Sequence, residues 1–487
     1  MPTRKINMMS GPLLAGVAKT VITDEDAGLA NDPLYVKALV LKSSDTTVVI
    51  VTVDAVAIAE IGSIENGYLA GVRSQLAEAL GIVPSEILIN ASHCHGRVCK
   101  DVEQRTVQAV KDAYKTLVPV RVGTGTGYED RIMENRRLKL KSGKEADVRH
   151  AYSLSPDEEV ASVGPIDPEI GVLRLDKEDG KVLAVIYNFA VHPILGVPNG
   201  QNTADLTGFS SKVIEDNLSD GAIALFLQGC AGDINPIGYK AVDHPRDAEM
   251  LGNMLGLSTL QALKKISTGE GGALKIVREM LELPRADLAE LIASLEVEQA
   301  EQVQSLKGTS LDLKTFLPLV VKYHLSSDFP SYSSHRYLHE KMVGRGDLNV
   351  LDAENRKNMN AYIENIHTME RLTRIQTNLN LLRRHQIRYG DSEAGTINVE
   401  VMGVRIGDFV LVTFPGELSV EIGLGIKKRS PHRFTFVAGV TNGYIYYTPT
   451  VAQLENRGNA QEDSDCLVAS EWQGLFEAKV MQVLEKL

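Results

Sequence analysis

The feature that most constrains the fold is a pair of apolar runs joined by a helix-patterned segment, the second run ending in two histidines. Thr46 to Ala55 (TTVVIVTVDA) is continuously apolar, the composition of a strand covered on both faces. Asn66 to Leu80 carries helical spacing and Gly81 ends it. Ile87 to Ala91 returns as a strand and runs on into Ser92-His93-Cys94-His95-Gly96. A strand–helix–strand unit of this kind usually lays its strands parallel. Reactive groups then collect beyond the carboxyl ends of those strands. Residues i and i+2 of a strand share a face, so His93 and His95 are expected on one side and Cys94 on the other, in the core. Imidazole is a zinc ligand and also the commonest general base at neutral pH. The same pair could instead do no more than satisfy hydrogen bonds at a strand end.

The chain has 487 residues, 44% hydrophobic and 23% charged, with a formal net charge of −12. That is globular composition, long enough for one large core or two domains. An acidic chain whose basic clusters are as short as Lys427-Lys428-Arg429 and Arg383-Arg384 is a poor fit to nucleic acid or to an anionic membrane surface. The four cysteines, Cys94, Cys99, Cys230 and Cys466, include no Cys-x-x-Cys pair and suit a reducing compartment. No apolar stretch follows Met1-Pro2-Thr3-Arg4-Lys5 as an export signal would, and no run reaches membrane-spanning length. The expected location is the cytoplasm, without membrane insertion.

Further along, Val172 to Asp176 and Lys181 to Val191 read as a hairpin that runs into His192-Pro193. A helix near Ser210 to Leu218 and a strand Ala222 to Gln228 follow. A Gly-rich loop, Gly229-Cys230-Ala231-Gly232-Asp233-Ile234-Asn235-Pro236, leads to a helix from about Arg246 to Lys264. Thr396 to Phe414 reads as a hairpin turning at Gly407-Asp408 and ending in Pro415-Gly416-Glu417. A helix after Ser419, a strand Phe434 to Val440 and a last helix from about Ala469 complete the chain. The stretch 286–385 differs: Leu, Glu, Lys and Arg at helical spacing predict two or more long helices around a loop, Ser326 to Ser334. No internal repeat is visible. The expected architecture is α/β, a mixed two-sheet core flanked by helices, formed by 1–285 and 386–487 and carrying 286–385 as a helical insertion.

Four segments thus end a strand and then present a metal-capable side chain: His93/His95, His192, Glu417 and the tyrosines of Asn442-Gly443-Tyr444-Ile445-Tyr446-Tyr447. With Gly16 to Thr23, Leu34 to Leu41, Asn135-Arg136-Arg137, Asp167 to Arg174, Asn188 to Pro193, Ala204-Asp205 and Phe226 to Pro236, the chain resembles the neutral/alkaline non-lysosomal ceramidase family over nearly all its length outside the insertion. The resemblance implies one zinc ion held by His93, His192, Glu417 and Tyr447. Two histidines and a glutamate are independently a sensible catalytic zinc set; the tyrosine rests on resemblance alone.

Zinc so held would activate water for attack on a carbonyl. His95 and Arg136 are the candidates for stabilising the developing oxyanion, and His95 could alternatively pass a proton to the leaving group. Asp205 and Asp233 either orient a ligating histidine or cap loop and helix. The chain departs from the family in three places. Asn235 stands where a serine is expected, able to hydrogen-bond a substrate but not to replace a hydroxyl. Arg457-Gly458-Asn459-Ala460 stands in place of a glycine-glycine-tyrosine-glutamate-like run, and Gly96-Arg97 follows the histidine pair. The family's immunoglobulin-like carboxyl-terminal domain is also not seen. These departures point to a small soluble substrate, polar or acylated. Arg97, Arg136 and Arg137 would suit an anionic group on it unless acids already pair them. The expected function is zinc-dependent hydrolysis of an amide or related carbonyl-linked bond. A lyase or glycoside-cleaving enzyme acting on a sugar-type substrate, and a non-catalytic zinc-binding protein, stay open as alternatives, as does homo-oligomer formation.

Overall fold

A computed structural model describes residues 12–148, 157–239, 241, 243–270, 272–330, 334–389, 395–455 and 460–487. These fall into two compact units. The larger takes in the described residues of 12–148, 157–287 and 395–487, and the smaller those of 288–389.

The larger unit is mixed α/β. Its first sheet has eight strands: β1 (Leu14–Val21), β2 (Tyr35–Lys42), β3 (Thr47–Val53), β4 (Ile87–Ala91), β5 (Val118–Tyr128), β6 (Glu169–Lys177), β7 (Val182–Phe189) and β8 (Ile223–Gln228), in the spatial order β8-β7-β6-β5-β1-β2-β3-β4. Its second sheet has four: β9 (Leu274–Pro284), β10 (Thr396–Ile406), β11 (Phe409–Thr413) and β12 (Phe434–Ala438), in that order.

One pattern recurs three times. Three strands pair antiparallel, a helix follows, a fourth strand pairs parallel to the third, and a second helix closes the unit. β1 to β4 follow it with helices Tyr68–Leu80 and Val102–Lys115. β5 to β8 follow it with Asp205–Asp216 and Ala248–Leu263. β9 to β12 follow it with Val420–Arg429 and Trp472–Lys486. The first two units join through β1 and β5. The sequence shows no repeat because strand pairing constrains hydrogen-bonding geometry and apolar pattern, and neither requires the same side chains. The smaller unit is inserted in the third repeat, between β9 and β10.

The two sheets stack face to face. Leu41 and Leu88 of the first repeat, Leu173 and Leu225 of the second, and Leu411 and Phe436 of the third share one buried cluster. In the second repeat the outer face carries helices, with Val172 and Phe226 against Leu206 and Leu255. In the third, Val412 and Val437 lie against Ile422 and Trp472. The strands predicted at Ile87 to Ala91, at the Val172/Lys181 hairpin and around Gly407-Asp408 form with ends shifted by a few residues or fewer. Strand β5, by contrast, escapes prediction. Its Gly123, Gly125 and Gly127 all face the helix Ala248–Leu263 and the turn after it. A Cβ there would lie 2.6 Å from the Ser267 carbonyl oxygen, 2.7 Å from Ile266 and 3.0 Å from Ala262. Glycine on that face lets the helix lie flush on the sheet.

The smaller unit consists of helices Ala289–Ser305, Leu313–Leu325, Ser334–Met342 and Asp347–Tyr389. Ile292 and Leu295 pack on Ile375, Leu379 and Leu382, and Phe316 and Tyr323 on Met359. No helix among the described residues is long and apolar enough to cross a membrane.

The three repeats meet at the carboxyl ends of their fourth strands, around Asn90. This side chain is fully buried. Its amide donates to the Gly439 carbonyl at 2.8 Å and to Thr441 Oγ1 at 2.9 Å, and its Oδ1 accepts from the Gln228 N–H at 3.0 Å. Gly439 N–H in turn donates to the Gln228 carbonyl at 3.0 Å. One residue from each repeat is therefore tied to the other two. Asn90→Ala leaves the Gln228 N–H buried without an acceptor and opens a void. It is expected to lower the unfolding free energy by about 2–4 kcal/mol, read from the urea midpoint.

Candidate metal centre

Every candidate ligand lies just past the carboxyl end of a third or fourth strand. His93 follows β4, His192 follows β7, Glu417 follows β11, and the tyrosine segment follows β12. Glu417–Leu418 then pairs with Tyr447–Thr448 as a two-residue parallel ladder, which brings the last two segments together. The backbone is strained here. His93, Val440, Asn442 and Tyr446 have φ of 68°, 47°, 57° and 64°, four of the six non-glycine positive values among the described residues. Such conformations persist only where surrounding contacts hold them. The His93 N–H is held by the Ala55 carbonyl at 2.9 Å and the Asn442 N–H by the Ile89 carbonyl at 2.9 Å.

Both imidazoles are oriented by backbone. His93 Nδ1 lies 2.6 Å from the Val56 carbonyl oxygen, and His192 Nδ1 lies 3.1 Å from that of Ile234. A carbonyl oxygen only accepts, so each Nδ1 carries the proton and each Nε2 offers a lone pair. Both lone pairs meet Glu417 Oε2, at 3.3 Å from His93 and 2.9 Å from His192. The other carboxylate oxygen accepts a short hydrogen bond from the Tyr444 hydroxyl. The Tyr447 hydroxyl lies 3.4 Å from His192 Nε2. His93, His192 and Glu417 each present one ligand atom within 4.8 Å of the others, and all three are buried. Three acceptors turned on one point, with no proton of their own to share, fit a cation between them, and a divalent ion with nitrogen and oxygen ligands in particular.

The electrostatics agree. Burial, with Arg136 nearby, pushes the His192 imidazole down to about 3, so it stays neutral. Burial raises the Glu417 carboxyl, but positive charge and N–H donation from the two imidazoles beside it hold it well below the usual range, a role that a bound cation would take over once both rings are neutral. Burial and the Glu417 charge drive the Tyr444 phenol well up, so it donates and does not ionise.

The other predicted residues distribute differently. His95 is exposed, its ring 5.8 Å from that of His93 and edge-on to it, outside the three-ligand group. The shared-face expectation rested on a continuing strand, and β4 ends at Ala91. Arg136 is wholly buried. Its guanidinium lies 5.5 Å from the Tyr447 ring centre, donates to Asn235 Oδ1 at 3.1 Å and pairs with Glu462 at 2.6 Å. Asn235 is buried as well. With its oxygen taken by Arg136, its Nδ2 has no hydrogen-bond acceptor among the described residues. Arg137 pairs with Asp463 at 2.6 Å and Arg97 lies 3.6 Å from Asp24. The three arginines expected to suit an anionic substrate are therefore already matched with acids.

Asp205 and Asp233 do not touch the ligating histidines, whose Nδ1 atoms go to backbone carbonyls. Asp205 accepts from the N–H groups of Gly196 and Leu206, and Asp233 from the Val420 N–H and Asn135. Both serve the capping role that was the other reading. Residues 457–459 of the departing run Arg457-Gly458-Asn459-Ala460 lie outside the described residues. Sequence reasoning missed the part played by Tyr444, and also Glu462 and Asp463. The acidic run Gln461-Glu462-Asp463-Ser464-Asp465 was a readable complement to Arg136-Arg137.

With metal removed by a chelator, the His192 ring is expected to remain the neutral Nδ1–H tautomer from about pH 4 to 7 in ¹⁵N-detected NMR. The unfolded chain takes up a proton on this residue near 6.5, and the folded site refuses it until about 3. The stability this residue contributes is therefore complete above the upper value and shrinks as pH falls between the two. Protonation near 6.5 in the folded protein would contradict the geometry.

No protein-family model and no curated protein matches the chain. Solved structures do, two ceramidases among them. The neutral ceramidase from Pseudomonas aeruginosa has a TM-score of 0.60 at 16% identity, over 98% of this chain and 75% of that one. A ceramidase complexed with C2 has a TM-score of 0.61 at 16% identity, over 98% and 76%. Identity this low speaks to architecture alone. The chain has a neutral ceramidase-like fold.

Proposed function

We propose that His93, His192 and Glu417, joined by Tyr447, hold a zinc ion, and that the protein is a hydrolase cleaving an amide or related carbonyl-linked bond of a small molecule. The observation that carries this is the convergence of two Nε2 lone pairs and a carboxylate oxygen within 4.8 Å of one another in a buried site. The fold supports it, since two solved structures that share it are ceramidases.

Zinc in such a place supplies a Lewis acid that polarises a carbonyl and activates water near neutral pH. The chain's own residues do the rest. The Val56 and Ile234 carbonyls fix the tautomer of each imidazole, so no ring has to turn or lose a proton before binding the ion. Tyr444 holds Glu417 through one oxygen and leaves the other for the metal. Asn235 Nδ2 is a donor without an acceptor among the described residues, and in this reading it receives the oxyanion that develops on the carbonyl. Arg136 donates to Asn235 and lies over the Tyr447 ring, and so acts as a positioning residue. His95, at the exposed side of His93, gives a proton to the leaving group.

Metal analysis of the purified protein is expected to give one zinc per chain, and His192→Ala or Glu417→Gln to lose it. Asn235→Ala is expected to keep the zinc and lower kcat about 10²- to 10³-fold, as removal of a single oxyanion donor does elsewhere. Zinc retained in His192→Ala would remove the proposed site. Zinc retained in the wild type with no activity on a mass-spectrometric panel of acylated amides and esters would remove the reaction and keep the site.

A further inference from the structure

Asn235 and Glu134 lie side by side. The short strands Met133–Asn135 and Ile234–Pro236 pair antiparallel, with Ile234 opposite Asn135, Asn235 opposite Glu134 and Pro236 opposite Met133. Residues directly opposite in such a ladder share a face, their Cβ atoms about 5 Å apart, and successive residues alternate faces. Met133 and Ile234 belong to a buried apolar cluster, and the Asn135 amide donates to the Pro165 carbonyl at 2.7 Å and to Asp233 at 3.2 Å. That face is the core. The other face carries Asn235 and Glu134 together, and Asn235 leads directly to the candidate metal centre. Its Oδ1 accepts from Arg136, whose guanidinium lies over the Tyr447 ring. Exposure rises outward along this wall, from Arg136 at 0% and Asn235 at 1% to Glu134, which is open to solvent.

Glu134 has neither a hydrogen bond nor an ion pair among the described residues. The other acids near Arg136 are all engaged. Glu462 is taken by Arg136, Asp463 by Arg137, and Asp233 by the Val420 N–H and Asn135. Enough protein surrounds the Glu134 carboxyl that burial raises it above the usual range, with no cation among the described residues to bring it down. It is a carboxylate at the rim of a recess, beside a buried amide NH2 that also lacks a partner among those residues.

What can cover this pair follows from solvation. A substrate whose polar group reaches Asn235 Nδ2 extends over the neighbouring side chain and strips water from it. An ionised carboxylate covered by a neutral or anionic group loses its hydration with nothing in return. Covered by a cation, it gains a charge-assisted partner. We propose that Glu134 selects the substrate, and that the molecule cleaved at this site carries an ammonium or other cationic group beyond the scissile bond, on the Asn235 side. The inference rests on the hydrolase reading above. It reverses the substrate charge expected from Arg97, Arg136 and Arg137, which acids already hold. The net charge of −12 works in the same direction at longer range, drawing cations toward the chain. The same carboxylate rejects anionic analogues by repulsion.

Hydroxamic acids test this without turnover, because the hydroxamate chelates the metal and the rest of the molecule reports on the wall. Two series are compared, with alkyl chains of graded length on the carbonyl carbon or on the nitrogen, each chain ending in an ammonium or in a methyl group. In isothermal titration of the zinc-loaded wild type at low salt, the best ammonium compound is expected to bind about fivefold tighter than its methyl counterpart. Glu134→Gln is expected to bring that ratio to about one, and Glu134→Lys to turn it below one and favour chains ending in a carboxylate. Glu134 has no partner to lose, so both variants are expected to melt with the wild type. A ratio near one in both wild-type series, or a preference that survives Glu134→Gln, overturns the role of Glu134 and leaves the metal centre standing. Failure of every hydroxamate to bind the zinc-loaded protein removes the metal centre, and this inference with it.

Discussion

Asn90 is the contact on which the arrangement depends. The two sheets are held together over most of their area by apolar side chains, which resist separation but specify position weakly. At the carboxyl ends of the strands a positional error of an ångström would scatter the ligands. There the chain uses directed hydrogen bonds. One asparagine satisfies its amide against Gly439, Thr441 and Gln228, residues of the other two repeats. Gln228 then passes the order on, its amide donating to the Val191 carbonyl at 2.9 Å, directly beside His192. Directed bonds in a buried polar network favour a single arrangement, and the loops of the candidate metal centre leave from this one.

The strained residues belong to the same account. His93 and Tyr446 sit in left-handed conformations that ordinary side chains avoid, in or beside the candidate metal centre. Regular strand geometry would point His93 along the pleat. The reversal at its own Cα turns the ring toward Glu417 and places Nδ1 on Val56. The cost is local, on the order of 1–3 kcal/mol for each such residue, and is met by the backbone bonds around it.

Much of this was legible in the chain itself. Strands with a continuous apolar run, such as β3, β4 and β8, declare themselves because both faces are covered. The cluster of His93, His192 and Glu417 was legible because each member follows such a run and chemistry restricts the residue type. What could not be read was whatever depends on partners distant in sequence. Glycines on one face of β5 are permitted only by a helix more than a hundred residues later. His95 loses its expected alignment because β4 stops two residues before His93. Arg136 and Arg137 looked available for substrate until Glu462 and Asp463 met them, over three hundred positions away. The threefold pattern was invisible for a related reason: it lives in who pairs with whom.

That pattern has a thermodynamic corollary. His93, His192 and Glu417 are drawn one from each repeat, so no single repeat can chelate by itself and the denatured chain holds no equivalent constellation. Any cation gripped by the trio therefore favours the assembled sandwich by mass action. Depletion of that ion would loosen the junction of all three repeats, and loosening the junction would release the ion.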